Sequence, residues 1–432
     1  MLTHIPFPVL PAPPSWFPGH MLQFAKSLPT LLTRTDVVLE LRDARLPLTS
    51  INRNFEGALQ KWRRERGRTN DETIAASAAA SALPSLPTAT STGRVCERIV
   101  VFNKRDLVPE WGIEPFQKAM ETKYSDQRIF FASWNRTRDI RALNEMLVNI
   151  ARKNPYIPEL NVLVVGMPNV GKSTLLNALR NIGIAGPTPK ALRTSSQPGL
   201  TRVLSTRLKL SVDPLVYSYD SPGVMLPFLG NGDKGAERGV KLALIAGIKE
   251  GLYDVEALAS YLLYRLNVLD PVSPAYLRIL PPGTPPLVDV LEFLDTLARR
   301  LCMLKRGGVP DQARAAVWFI GWWREEGGLL SASAPLLAAS PSPTLDPPSQ
   351  RRGWGFDVEW TVNADEARQY DTAVIQRKME ECIDAFERAA LEEEREGGGV
   401  SSTQEKKRIK EQTIAKRVAK TRARLTAKRG GR

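Results

Sequence analysis

The chain has 432 residues, 25% charged and 43% hydrophobic, a length that suggests two or three domains of a soluble globular class with appended segments. No apolar stretch is long enough to span a bilayer as a helix. Cys96, Cys302 and Cys382 lie too far apart for a metal-ligand motif and read as free thiols of a reducing compartment. Of the net +14, residues 401–432 supply +10 (six Lys and six Arg against Glu405 and Glu411), so the basicity belongs to a tail that seeks phosphate backbones or anionic lipid.

Residues 1–35 hold no Asp or Glu, with Lys26 and Arg34 as their only Lys or Arg. Acid-poor composition suits a transit peptide, but the prolines Pro6, Pro8, Pro11, Pro13 and Pro14 and the scarcity of Arg make that signal weak. Trp16-Phe17-Pro18-Gly19-His20-Met21 forms an aromatic turn into a helix from Met21 to about Arg34. A strand over Asp36–Asp43 follows, then Ala44-Arg45-Leu46-Pro47 and a helix from Phe55 to Arg66. Residues 67–94 are Ala/Ser/Thr/Pro low complexity and read as a disordered insertion. Arg98–Phe102 is a buried parallel strand ending at Asn103-Lys104-Arg105-Asp106. A helix near Ile113–Lys123, a strand Arg128–Ala132 ending at Ser133 and a helix Arg138–Arg152 come next.

The apolar run Leu160–Val165 leads into Gly166-Met167-Pro168-Asn169-Val170-Gly171-Lys172-Ser173-Thr174 and then a helix. Strand, glycine-rich turn and helix in that order make a phosphate-binding loop, whose backbone N–H groups and helix N-terminus face phosphate oxygens. Lys172 would reach the β- and γ-phosphates and the Ser173 hydroxyl would hold Mg²⁺; Asn169, Val170, Gly171 and Thr174 complete the loop. Residues 183–201 have the Gly, Pro, Ser and Thr content of a mobile loop. Strands Val203–Leu210 and Leu215–Tyr219 lead to Asp220-Ser221-Pro222-Gly223. Asp220 would bind Mg²⁺, the Gly223 N–H would sense the γ-phosphate, and Thr201 would bring a second hydroxyl to the metal.

Asn103-Lys104-Arg105-Asp106 at a strand end supplies base recognition. The Asp106 carboxylate can accept from guanine N1–H and N2–H₂, which adenine does not offer, while Asn103 holds the O6 side and the Lys104 stem lies against the ring. Such a site rejects the wrong base by leaving buried groups unpaired, worth up to ~10⁴–10⁵ in discrimination. The Ala132-Ser133 pair offers a backbone N–H to guanine O6.

The motif order is base recognition first, phosphate loop second, magnesium and switch residues last. It resembles the circularly permuted GTPases over roughly residues 15–330. With Trp16–Met21 and Asp43–Pro47 added, the chain is similar to the family that contains the bacterial GTPase of large-subunit assembly and its mitochondrial ribosome-associated counterpart. The resemblance implies GTP hydrolysis with Mg²⁺, late in maturation of the mitochondrial large ribosomal subunit, in the matrix and peripheral to the inner membrane. Partners would be GTP or GDP and the rRNA and proteins of that subunit. Val224 stands where Ras-like enzymes place a water-orienting Gln, so the isolated protein should be slow, and the resemblance gives that task to His20; the other reading has His20 packing a helix start. Asn169 is associated in related GTPases with K⁺ near the phosphates, or else closes the loop by hydrogen bonds. Asp43 and Arg45 read as a tie between a strand end and its loop.

The expected architecture is an N-terminal segment (1–35), a doubly wound α/β P-loop GTPase domain with permuted motif order (36–233) and a small helical domain (234–330). A linker (331–353) and a charged helix with basic tail (354–432) complete it. Two other classes compete: a nucleotide-gated rRNA-binding scaffold whose hydrolysis is incidental, and a P-loop ATPase or kinase, which Asp106 disfavours.

Overall fold

The computed structural model describes residues 2, 4–14, 16–53, 55–65, 95–186, 189–194, 199, 201, 203–226, 228–230, 232–327, 350–362, 371–395 and 413. The 67–94 insertion, most of the 331–353 linker and all but one residue of the basic tail lie outside them.

Runs of branched apolar residues bounded by Asn, Asp and Gly form six strands. These are β1 (Val37–Asp43), β2 (Glu97–Asn103), β3 (Arg128–Phe131), β4 (Leu160–Gly166), β5 (Leu208–Ser211) and β6 (Val216–Asp220). They make one sheet in the order β3-β2-β1-β4-β6-β5, parallel throughout except at the β5–β6 edge. The strand that feeds the phosphate loop, fourth in the chain, therefore lies beside the first. This is the permuted order expected from the motifs, and it brings the carboxyl ends of β2, β1, β4 and β6 together.

Five helices accompany these strands: α1 (Gly19–Leu32), α2 (residues 55–65), α3 (Ile113–Lys123), α4 (Thr137–Lys153) and α5 (Lys172–Gly183). On β2, Val100 and Phe102 pack with Phe116 and Met120 of α3, while Ile99 and Val101 join the cluster containing Ile140 and Leu143 of α4. Both sheet faces are thus covered, as a parallel sheet requires. The first edge strand begins at Leu208, not Val203. Ser205 instead brackets the end of β6, its N–H donating to Asp220 O at 2.9 Å and its hydroxyl accepting from the Asp220 N–H at 2.7 Å.

The helical region comprises α6 (Gly232–Leu244), α7 (Val255–Leu269), α8 (Val290–Arg300) and α9 (Gln312–Trp322), with a wide turn at Trp323–Gly327. Asp254, Asp289 and Asp311 cap three of these helices with side-chain oxygens. The C-terminal part departs from the sequence reading. Residues 350–353, read as the end of a linker, open a hairpin of β7 (Gln350–Trp354) and β8 (Val358–Val362), followed by α10 (Thr372–Arg395). Trp354 is fully buried, stacked on Phe116 at 4.8 Å, with its indole N–H donating to Pro109 O at 3.0 Å. A Cβ at Gly112 would lie 1.8 Å from that indole, so glycine is required beneath it.

Charge also enters the core. Glu40 on β1 accepts from Arg42 Nε at 2.7 Å and from Arg98 Nε of β2 at 3.1 Å, and Arg98 continues to Glu56 of α2. All but Glu56 are at most 2% exposed. Burial pushes the Glu40 carboxyl up, but Arg42 and Arg98 outweigh it and bring it down to about 2. A depressed carboxyl stabilises the fold above its unfolded value of 4.5, and that contribution is lost as pH falls through about 2. Glu40→Gln, which leaves two buried guanidiniums short of charge, is expected to cost about 3 kcal/mol in urea unfolding. A loss below about 0.5 kcal/mol, the range of an ordinary surface change, would show the network to be dispensable.

Candidate functional site

The phosphate loop is shaped by backbone that side chains resist. Gly166 has φ +147°, and a Cβ there would meet Leu41 O at 2.3 Å; Gly171 has φ +91°, and a Cβ there would lie 2.5 Å from Asn103 Nδ2. Asn169 also takes a positive φ of 58°. Its amide nitrogen donates to Ala246 O at 2.8 Å, closing the loop on the α6–α7 connection, one of the two parts foreseen for it. Lys172 opens α5, and its ammonium donates to Met167 O at 2.8 Å and Gly166 O at 3.3 Å. Burial pushes that ammonium down to about 8, with Asp220 acting the other way. A charge held this far from water favours an incoming anion.

Asp220 ends β6 in register with Val164 of β4, which places it beside the start of α5. The Ser173 hydroxyl donates to Asp220 Oδ2 at 2.5 Å, and Asp220 Oδ1 is buried with no hydrogen-bond partner among the described residues. Burial raises the Asp220 carboxyl, against the pull of Lys172 and Ser173. A hydroxyl and a buried carboxylate with an unmet lone pair suit a hard divalent cation such as Mg²⁺. A Cβ at Gly223 would come within 2.6 Å of Pro168 Cα, so glycine lets the segment after Asp220 lie on the phosphate loop. Val224 is 1% exposed; its N–H donates to Gly166 O at 3.2 Å and its carbonyl accepts from Asn52 at 3.0 Å. Its side chain carries no polar group.

Asn103 is buried and donates to Val170 O at 2.7 Å, tying the end of β2 directly to the phosphate loop. Lys104 adopts the left-handed conformation (φ 62°), and its ammonium donates to Asp43 at 2.9 Å. Asp106 accepts a long bond from the Asn135 amide at 3.4 Å. Ala132 and Ser133 follow β3. The Ala132 N–H donates to Phe102 O at 3.0 Å and the Ser133 N–H to Asp139 Oδ2 at 3.1 Å, so both amides serve the fold. The next two residues, Trp134 and Asn135, reach the cavity instead.

One cavity of about 510 Å³ at the carboxyl ends of the strands joins these parts. Asn103, Lys104 and Asp106 line it together with Asn169, Gly171, Lys172, Ser173, Thr174, Thr201 and Gly223. Asp220 lies just behind through Ser173. Val170 is buried and its carbonyl accepts the Asn103 bond. His20, the second residue of α1 and half-buried, does not line the cavity. The sequence reading missed Trp134, Arg193 and Arg324, which do. Arg324 comes from the wide turn after α9, where its guanidinium donates to Leu244 O at 2.7 Å and Ala243 O at 3.1 Å. No local motif marks it.

Residues 161–264 match the family model described as 50S ribosome-binding GTPase. The match begins on the phosphate-loop strand and omits Asn103–Asp106, which a permuted chain carries upstream. Mitochondrial ribosome-associated GTPase 1 of Mus musculus is 29% identical over 257 residues, 58% of this chain and 66% of that one. Among solved structures, GNP-bound YlqF from T. maritima has a TM-score of 0.42 and 18% identity, covering 71% of this chain and 96% of that one. Mitochondrial GTPase 1 of Schizosaccharomyces pombe is 31% identical over 299 residues, 69% of this chain and 83% of the relative. By that kinship, and by a phosphate loop on a strand moved to fourth place, the chain belongs to the mitochondrial GTPase 1 family of GTP hydrolases.

Proposed function

We propose that the protein binds GTP with Mg²⁺ in this cavity and hydrolyses it while docked on the mitochondrial large ribosomal subunit, late in that subunit's assembly. The observation that carries the reading is one cavity lined by Asp106 as well as by Lys172 and Ser173. Asp106 and Asn103 read guanine, the amides of residues 169–174 and the Lys172 ammonium hold the phosphates, and Gly223 senses the γ-phosphate. Ser173 and Asp220 hold Mg²⁺, with Thr201 joining them in the GTP state; the ion supplies charge neutralisation at the phosphate oxygens. The order that GTP imposes on the 183–201 loop and on 221–235 is what the ribosome reads, and hydrolysis releases it.

Turnover by the isolated protein is slow, because Val224 lies in the core where it cannot orient water. His20 takes that task when docking draws the start of α1 to the cavity. The tail's net +10 grips rRNA phosphates, an attraction that weakens steeply with salt. The work is done in the mitochondrial matrix, peripheral to the inner membrane; among the described residues no helix is long and apolar enough to cross a membrane.

Cosedimentation with mitochondrial large-subunit precursors tests the proposal. A non-hydrolysable GTP analogue is expected to trap the protein on the particles and GDP to release it. In the same assay His20→Ala keeps nucleotide affinity and trapping but loses most particle-stimulated hydrolysis. Equal sedimentation in both nucleotides would overturn the ribosomal reading, and full stimulated turnover by the variant would leave His20 a packing residue.

A further inference from the structure

The Asp43-Ala44-Arg45 stretch sits beside the cavity, yet the reading above gives it no task. Asp43 ends β1 in register with Asn103, one residue before Lys104. It is fully buried and does not line the cavity. Its Oδ1 accepts from the Arg45 N–H and Nε, both at 3.0 Å, and its Oδ2 from Arg45 Nη2 at 2.8 Å and Lys104 Nζ at 2.9 Å. The carboxylate is thus clamped by the Arg45 fork, a planar geometry that leaves it little freedom. Lys104 bonds to a fixed point beneath the floor, while a fifth of its side chain stays open to the cavity.

We infer that Asp43 is a positioning residue for base recognition: it anchors the Lys104 ammonium so that the lysine stem is held as one wall of the slot that takes the purine. A lysine without this anchor samples many rotamers, and a ring lying against it must freeze them on binding. Arg45, which itself lines the cavity, also fixes the setting. Its Nη1 donates to Arg324 O at 3.3 Å, its guanidinium lies 5.5 Å from the Trp323 ring, and its carbonyl accepts from the Phe356 N–H at 2.6 Å. The inference rests on the cavity being a guanine-nucleotide site.

The test is a double-mutant cycle on the full chain, reading GDP affinity by calorimetry for the wild type, Asp43→Asn, Lys104→Ala and the double variant. Asp43→Asn is expected to weaken GDP about tenfold in the wild-type background and less than about twofold when Lys104 is already Ala. Equal losses in both backgrounds would make Asp43 a structural residue and overturn the inference. Should Asp43→Asn fail to fold, Arg45→Lys, which loosens the fork and keeps the carboxylate, runs the same cycle. Wild type that binds no GDP would remove the nucleotide reading and this inference together. Wild type that binds GDP with an additive cycle would remove this inference alone.

Discussion

Lys172→Ala is expected to reduce GTP affinity on the order of 10³-fold, to the point where calorimetry records no heat of binding. The ammonium opens α5 in a buried corner of the loop, where loss of one partner of a desolvated charge pair costs roughly 2–5 kcal/mol or more. Among the described residues it bonds to the carbonyls of Gly166 and Met167, while burial pulls its pKa down to about 8. Those carbonyls do not neutralise the charge, and a phosphate would. For the same reason the variant should melt no lower than the wild type. Unchanged GTP affinity would contradict the assignment of residues 166–174 to phosphate, and a lowered melting temperature would show that the lysine holds the loop itself.

Asp106→Asn is expected to exchange GTP for xanthosine triphosphate. Guanine offers N1–H and N2–H₂ to a carboxylate; xanthine has a carbonyl at the second position, which an amide can donate to. A mismatch leaves polar groups unpaired in the slot, so the preference between the two nucleotides should shift by ~10⁴–10⁵. Competition against labelled GDP measures this directly. Retained preference for GTP would remove Asp106 from the base site. The Asn135 amide already shares Asp106, and with Asn at 106 that contact becomes amide to amide.

The phosphate loop was legible because its cause is local: Gly166 and Gly171 hold backbone that other residues refuse, and the strand and helix on either side are periodic. The permuted order was legible for a related reason, since each motif terminates its own strand and parallel strands put such ends on one side. Contacts between distant segments were not. Arg324 enters the cavity from the wide turn after α9, and nothing near it in sequence says so. Glu40, Arg42 and Arg98 interrupt apolar strands and form a buried ion cluster only because β1 and β2 pair in register. The β7–β8 hairpin was hidden by its Ser- and Pro-rich approach, while Trp354 finds its partners Phe116 and Pro109 more than two hundred positions earlier. The bond from the Ser133 N–H to Asp139 was likewise hidden, because Asp139 is a helix residue no motif points to.

The measurement that bears most directly on the account is xanthosine triphosphate affinity for Asp106→Asn with and without Lys172→Ala. If one molecule is read at its base by residue 106 and held at its phosphates by residue 172, the double variant loses the binding the single variant gained. Undiminished affinity in the double variant would mean that the two residues serve no common ligand.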